Sequence, residues 1–186
     1  MNLRTERLLL REFVEGDWPP VLAYQSDPRY LRFYPWAGRT EEDARAFVGM
    51  FIDWQREERR VKFQLAIVLA EGGRLIGNCG VRKGCIEDRQ AELGYELDPA
   101  YWGHGYATEA ARAMLAFGFD DLRLHRIWGA CVAGNAASAG VMEKLGMRLE
   151  GRLRESDWIE GRWYDSLVYG ILEQEWRQDG AEEGSL

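Results

Sequence analysis

The sequence predicts a single α/β domain built on one mixed, mostly antiparallel sheet flanked by helices. Two patterns carry this: short β-rich runs alternate with segments of helical spacing, and the second half holds one β-α-β-α passage, the signature of a local parallel pair. The bulk properties agree. A chain of 186 residues suffices for one core, and 46% hydrophobic with 30% charged residues is the balance of an ordinary globular protein.

Residues 7–14 read as a first strand, ended by Gly16-Asp17, with Asp17 placed to cap a short helix carrying Val21, Leu22 and Tyr24. The aromatic stretch 28–39, broken by Pro28, Pro35 and Gly38, reads as a loop. Thr40-Glu41-Glu42-Asp43 is a helix start, a hydroxyl cap followed by acids where the dipole favours them. That helix is expected to reach about residue 58, with Ala44, Phe47, Val48, Phe51 and Trp54 at helical spacing. Strands follow at 63–69, 75–81 (after the Gly72-Gly73 turn) and 91–97, the last halted by Asp98-Pro99. After a glycine loop come an alanine-rich helix to about Phe119, a strand at 126–132 and a helix at 136–145 closed by Gly146. Strands at 147–154 and 163–171 complete the sheet. The domain is expected to span 1–178, with 179–186 a frayed polar tail.

A net charge of −7 argues against a nucleic-acid binder, which needs a basic face, and suits a cationic substrate. Cys79, Cys85 and Cys131 are odd in number and never spaced Cys-x-x-Cys; with only His104 and His125 besides, no metal site is expected. Buried free thiols in a reducing compartment are the simpler reading. No signal segment and no membrane-spanning run are evident, so the expected location is the cytoplasm.

The loop Asp98-Pro-Ala-Tyr-Trp-Gly103-His-Gly105-Tyr-Ala107-Thr108 joins a strand end to a helix start. Small residues at 103, 105 and 107 leave successive backbone N–H groups uncovered, with a helix N-terminus behind them; such a turn cradles phosphate or pyrophosphate. A P-loop would need Gly-Lys-Ser/Thr, and a dinucleotide fingerprint a third glycine where Thr108 stands. As plain structure, Gly103 and Gly105 form only a tight turn.

The stretch Ala91-Glu-Leu-Gly-Tyr-Glu-Leu-Asp-Pro-Ala-Tyr-Trp-Gly-His-Gly-Tyr-Ala-Thr-Glu-Ala resembles the acetyl-CoA signature of the GNAT superfamily, Gln/Arg-x-x-Gly-x-Gly/Ala, at Gly105 and Ala107. Trp102 stands where Gln or Arg is usual, a departure similar to the RimJ/RimL subgroup of ribosomal-protein-alanine N-acetyltransferases. Leu124-His125-Arg126-Ile127, Asn135-Ala-Ala-Ser138, Glu143-Lys-Leu-Gly-Met147, Tyr164-Asp-Ser166 and Arg7-Leu-Leu-Leu-Arg11 resemble it too, so the likeness covers roughly residues 5–177. It implies the GNAT (acyl-CoA N-acyltransferase) fold, in which two neighbouring parallel strands, here the fourth and fifth (91–97 and 126–132), splay to receive a pantetheine arm.

The resemblance also implies a chemistry: acetyl-CoA as cosubstrate, no metal, and direct acetyl transfer to a primary amine, either a protein N-terminus or a small molecule. Coenzyme contacts are expected at Leu97, Gly103, His104, Gly105, Tyr106, Ala107, Thr108, Asn135 and Ser138, with a backbone N–H at Leu97 or its neighbour steadying the oxyanion. Something must take the amine's proton. Glu92 is the first candidate base and Glu96, of the same face parity, the second; equally, Glu92 is a salt-bridged strand residue. Met142 stands where many members carry a Tyr that protonates the leaving thiolate, and Ser138 is the substitute the resemblance suggests. As structure alone, Asn135 is a helix cap, Ser138 a first-turn hydroxyl, His125 a framework residue and Glu109 a complement to the helix dipole. Phe33, Trp36 and Trp158 are expected to wall the acceptor site. Partners reduce to the amine acceptor, without nucleic acid or membrane, and with a homodimer left open. Met142 keeps a second reading alive, a module that senses acetyl-CoA without turnover, and a nucleotide-binding protein is a third.

Overall fold

The computed structural model describes residues 1–36 and 38–183. Eight strands form one sheet in the order β1-β2-β3-β4-β5-β6-β8-β7. They are β1 (Asn2–Arg4), β2 (Leu8–Arg11), β3 (Lys62–Leu69), β4 (Leu75–Arg82), β5 (Gln90–Leu97), β6 (Arg126–Val132), β7 (Arg148–Ile159) and β8 (Arg162–Leu172). Helices are α1 (Trp18–Gln25), α2 (Pro28–Leu31), α3 (Glu41–Arg56), α4 (Tyr106–Ala116), α5 (Ala136–Lys144) and α6 (Glu173–Glu183). Every neighbouring pair is antiparallel except β5–β6.

The central strands β3 and β4 are buried on both faces. Successive residues of β3 serve different cores, Leu65 and Ile67 facing the layer of α4 and α5, Ala66 and Val68 that of α1 and α3. A strand covered on both sides reads as a continuous apolar run, which is why 63–69 lacks polar alternation. α3 starts with a capping box, Thr40 and Asp43 each satisfying the other's backbone N–H, and buries Ala44, Val48, Phe51 and Ile52. α4 buries Ala110, Ala111, Met114 and Leu115, the small pair letting it lie close on the sheet. No helix among the described residues is long and apolar enough to cross a membrane.

Several local readings change. Asp17 precedes α1 but does not cap it: Pro19 and Pro20 occupy the positions whose N–H groups a cap would take, so none is there to bind. Its carboxylate instead grips Arg11 at 2.7 Å and the Val14 N–H at 2.8 Å. The stretch expected as a loop contains α2, because Pro28 sits at a first helical position and Asp27 caps it through the Arg29 N–H at 2.8 Å. α4 stops at Ala116 and widens into a π-helical turn, Phe117–Asp121. The last hairpin is longer than expected, with irregular register at Leu149/Gly151 and Leu153/Asp157. α6 runs on to Glu183, into the stretch read as tail, and 184–186 lie outside the described residues. Cys79 and Cys131 are buried thiols, whereas Cys85 is exposed, on the β4–β5 connection.

Candidate active site

β5 has two unlike neighbours. On its β4 side it is paired from Arg82↔Glu92 to Gly77↔Leu97. On its β6 side the parallel ladder holds only Gln90↔Arg126, Ala91↔Ile127 and Glu92↔Trp128. β6 meanwhile stays paired with β8 as far as Val132↔Ser166, so each strand follows its outer partner and a gap opens between them. The Asp98 N–H donates to the Ile76 carbonyl at 2.8 Å. Antiparallel alternation then turns the N–H and C=O of Leu97 toward the gap. The carbonyl accepts the Trp102 indole N–H at 2.8 Å, and the Leu97 N–H faces the opening.

The glycine loop closes one end of this gap. Gly103 and Gly105 have φ of +80° and +82°, the left-handed region that glycine occupies without strain, and Gly105 stands at the N-cap of α4. Among the described residues the backbone N–H groups of 103–108 find no acceptor within the protein, while the next, that of Glu109, bonds the Gly105 carbonyl at 3.0 Å. The turn is held from β2's side. Arg7 reaches the His104 carbonyl at 3.0 Å, lies 4.5 Å above the Tyr106 ring and pairs with Glu109 at 2.6 Å. Thr5 donates its hydroxyl to the same carboxylate at 2.6 Å. Burial alone would raise the Glu109 pKa, but the bonds from Thr5 and Arg7 prevail and hold it below its ordinary value. Glu109 therefore ties the loop to the sheet rather than only complementing a dipole. The exposed His104 ring stacks on Tyr106 and bonds the Trp102 carbonyl through Nδ1 at 2.8 Å; His125 lies before β6.

The start of α5 faces the gap from the other strand. Asn135 caps the helix by accepting the Ser138 N–H at 3.1 Å. Tyr95, on β5 past the end of the β5–β6 ladder, sends its hydroxyl to the Ser138 carbonyl at 2.9 Å and lies 3.0 Å from the Ser138 hydroxyl. Burial pushes the Tyr95 phenol well above its ordinary pKa. Met142 is a core residue, 1% exposed.

The opposite face of β5 carries Glu92 and Glu96, in contrasting surroundings. Glu92 lies where the ladder is still closed, 40% exposed and paired with Arg82 at 3.2 Å. Glu96 lies beyond it. Its Oε2 accepts three donors, the Tyr24 hydroxyl at 3.2 Å, the Gln25 amide at 3.0 Å and the Asn78 amide at 3.1 Å. Asn78 in turn accepts from Gln64 at 2.6 Å. A network of that kind fixes a carboxylate's direction and leaves Oε1 for another partner.

The aromatic stretch lies over this face. Tyr24, Tyr30, Tyr34 and Trp36 follow one another with ring centroids 4.4–5.6 Å apart, and the Phe33 ring reaches Gly134, between β6 and α5. Trp158 packs edge-on against Trp163 at 5.1 Å near the tip of the β7–β8 hairpin, both more than half exposed. No ring contact among the described residues joins it to Phe33 or Trp36.

Residues 7–148 match the family model described as an acetyltransferase (GNAT) domain. The chain belongs to the GNAT acetyltransferase family. It is an N-acetyltransferase, 38% identical over 176 residues to the uncharacterized N-acetyltransferase YnaD of Bacillus subtilis (strain 168), covering 95% of this chain and 99% of that one. A GNAT-family acetyltransferase from Bacillus anthracis superposes with a TM-score of 0.82 at 35% identity, over 94% of this chain and 99% of that one. The fold is shared with a spermidine N-acetyltransferase from Vibrio cholerae, solved in complex with CoA and spermine, at TM-score 0.79, 21% identity and coverage of 93% and 99%. Enzymes of this fold use acetyl-CoA, and the bared amides of the acetyltransferase's glycine turn suit its pyrophosphate.

The structure thus gathers Leu97, the 103–108 turn, Asn135 and Ser138 around one gap, and sets Glu96 on its other face. The sequence analysis missed Tyr95, Arg7 and the Tyr24–Gln25–Asn78 cluster. Tyr95 was within reach: it sits between Gly94 and Glu96, so strand alternation points it to the α5 side. Nothing local marks Gln25 or Asn78, and Arg7 opens the Arg7–Arg11 segment of the resemblance without any local sign of its distant partners His104 and Glu109.

Proposed function

We propose that this acetyltransferase is of the RimJ/RimL type, works in the cytoplasm, and moves the acetyl group of acetyl-CoA directly to a primary amine, a protein N-terminus or a small molecule. The observation that carries the reading is the interrupted β5–β6 ladder, with free amides on one side and the anchored Glu96 on the other. Acetyl-CoA, when bound, supplies an activated acyl carbon and a thiolate leaving group. The amides of 103–108 hold the pyrophosphate, and the Leu97 N–H donates to the acetyl oxygen as negative charge gathers there; losing one such donor commonly slows turnover about 10²–10³-fold. Asn135 and Ser138 line the thioester's far side.

The acceptor must attack as a free amine, although a lysine side chain has a pKa near 10.4 and an α-amine about 7.7–8.0. Glu96 Oε1 takes the proton, directly or through a water. Glu92, neutralised by Arg82 beside the closed part of the ladder, supports the strand instead. Phe33 and Trp36 border the acceptor's approach, and the net charge of −7 favours a cationic one.

Thiol release on mixing the protein with acetyl-CoA and a panel of polyamines, amino acids, aminoglycosides and peptide N-termini tests the reading. At least one class should give turnover. Glu96→Gln should lower kcat by about 10²-fold while the acetyl-CoA dissociation constant stays unchanged, and Glu92→Gln should cost less than about threefold. The reverse ranking would move the base to Glu92. The buried Met142 favours a second reading, a non-catalytic acetyl-CoA sensor, which predicts binding without thiol release across the whole panel.

A further inference from the structure

We infer that Tyr95 is a positioning residue for the transfer step, supplying from β5 the phenol that α5 lacks at Met142. This rests on the acetyl transfer proposed above. The Tyr95 hydroxyl crosses the gap to Ser138, 2.9 Å from its carbonyl and 3.0 Å from its Oγ, at a level where β5 and β6 are no longer paired. Ser138 is held in turn by Asn135. A thioester arm lying in the gap passes beside this hydroxyl pair.

The pair has two arrangements. In one, Tyr95 donates to the Ser138 carbonyl and Ser138 Oγ–H donates to the phenol oxygen. In the other, Tyr95 donates to Ser138 Oγ, which frees the serine proton to point into the gap. During transfer the C–N bond forms, the C–S bond breaks, the C–S electron pair goes to sulfur and the amine's proton goes to Glu96. The serine hydrogen then bonds the new thiolate, strengthened by the phenol behind it. Burial raises the phenol's pKa, so Tyr95 keeps its proton and acts by donating a hydrogen bond; the thiolate collects its own proton from solvent after release.

Tyr95→Phe removes only the hydroxyl. Its kcat should fall about 10–100-fold, in the lower range of what a positioned donor contributes, with the acetyl-CoA dissociation constant within about twofold of wild type. Adding Ser138→Ala to Tyr95→Phe should cost little more than either change alone, because the two hydroxyls act as one unit. An unchanged kcat, losses that multiply in the double variant, or a dissociation constant that rises as far as kcat falls would overturn the inference, the last making Tyr95 a mere brace. A wild-type protein that binds acetyl-CoA yet releases no thiol with any amine overturns the transfer reading and this inference with it, whereas an active wild type matched by Tyr95→Phe sinks this inference alone.

Discussion

The two edges of β5 make opposite use of the same backbone. Toward β4 its pairing runs as far as Leu97; toward β6 it stops at Glu92. The closed edge gives rigidity and the open edge gives a site, because unspent N–H groups in a fixed strand are donors that need no reorganisation when charge develops. The same division separates the two carboxylates on its outer face. Glu92, beside the closed edge, has a cation for a partner, while Glu96, beside the open one, is anchored by neutral donors through a single oxygen.

The most damaging test of this contrast strikes the glycine turn. Gly105→Val puts a β-branched residue at a φ of +82°, a conformation costing an L-residue about 1–2 kcal/mol or more, though a Cβ there has room, 3.5 Å from Arg7. The turn should reorganise and coenzyme affinity fall by at least about 10²-fold while the protein stays folded, as read by calorimetric titration and circular dichroism. Undiminished affinity would detach the turn from the site. Next, Phe33→Ala should raise the acceptor KM by about tenfold, the scale of one lost aromatic contact, with kcat little changed.

A smaller effect concerns how the open edge is tethered. The Glu109 carboxyl sits below its ordinary 4.5, so its contribution is complete above that pH and disappears as pH falls through the lowered value. Glu109→Gln should therefore melt about 3–6 °C below wild type at neutral pH, and the difference should close once acid takes the pH below that lowered value. A gap in melting temperature that persists at acid pH would mean the tether is not ionic. The least is expected from Trp158→Ala, within about twofold in kcat/KM for small amines, with only the modest destabilisation of a lost cross-strand aromatic pair. A large rise in KM there would make Trp158 a wall of the acceptor site.

Element existence was legible where one segment carries its own signal. The Thr40–Asp43 capping box, the apolar run of β3 and the βα turn at Gly103 and Gly105 all stand where the residues suggest. The misreadings came where two local signals competed: prolines that break a chain also start helices, as at Pro28, and an acid before a helix caps nothing when Pro19 and Pro20 offer no N–H.

By itself the sequence determined the mixed sheet, the parallel pair and the glycine turn, because periodicity and backbone freedom are properties of neighbouring residues. Only the tertiary structure decided where the β5–β6 ladder ends, which glutamate is held rather than paired, and that Tyr95 reaches Ser138. Those depend on residues 10 to 72 positions apart along the chain meeting in space, as Arg82 meets Glu92 and Tyr24 meets Glu96, and no local pattern encodes such meetings.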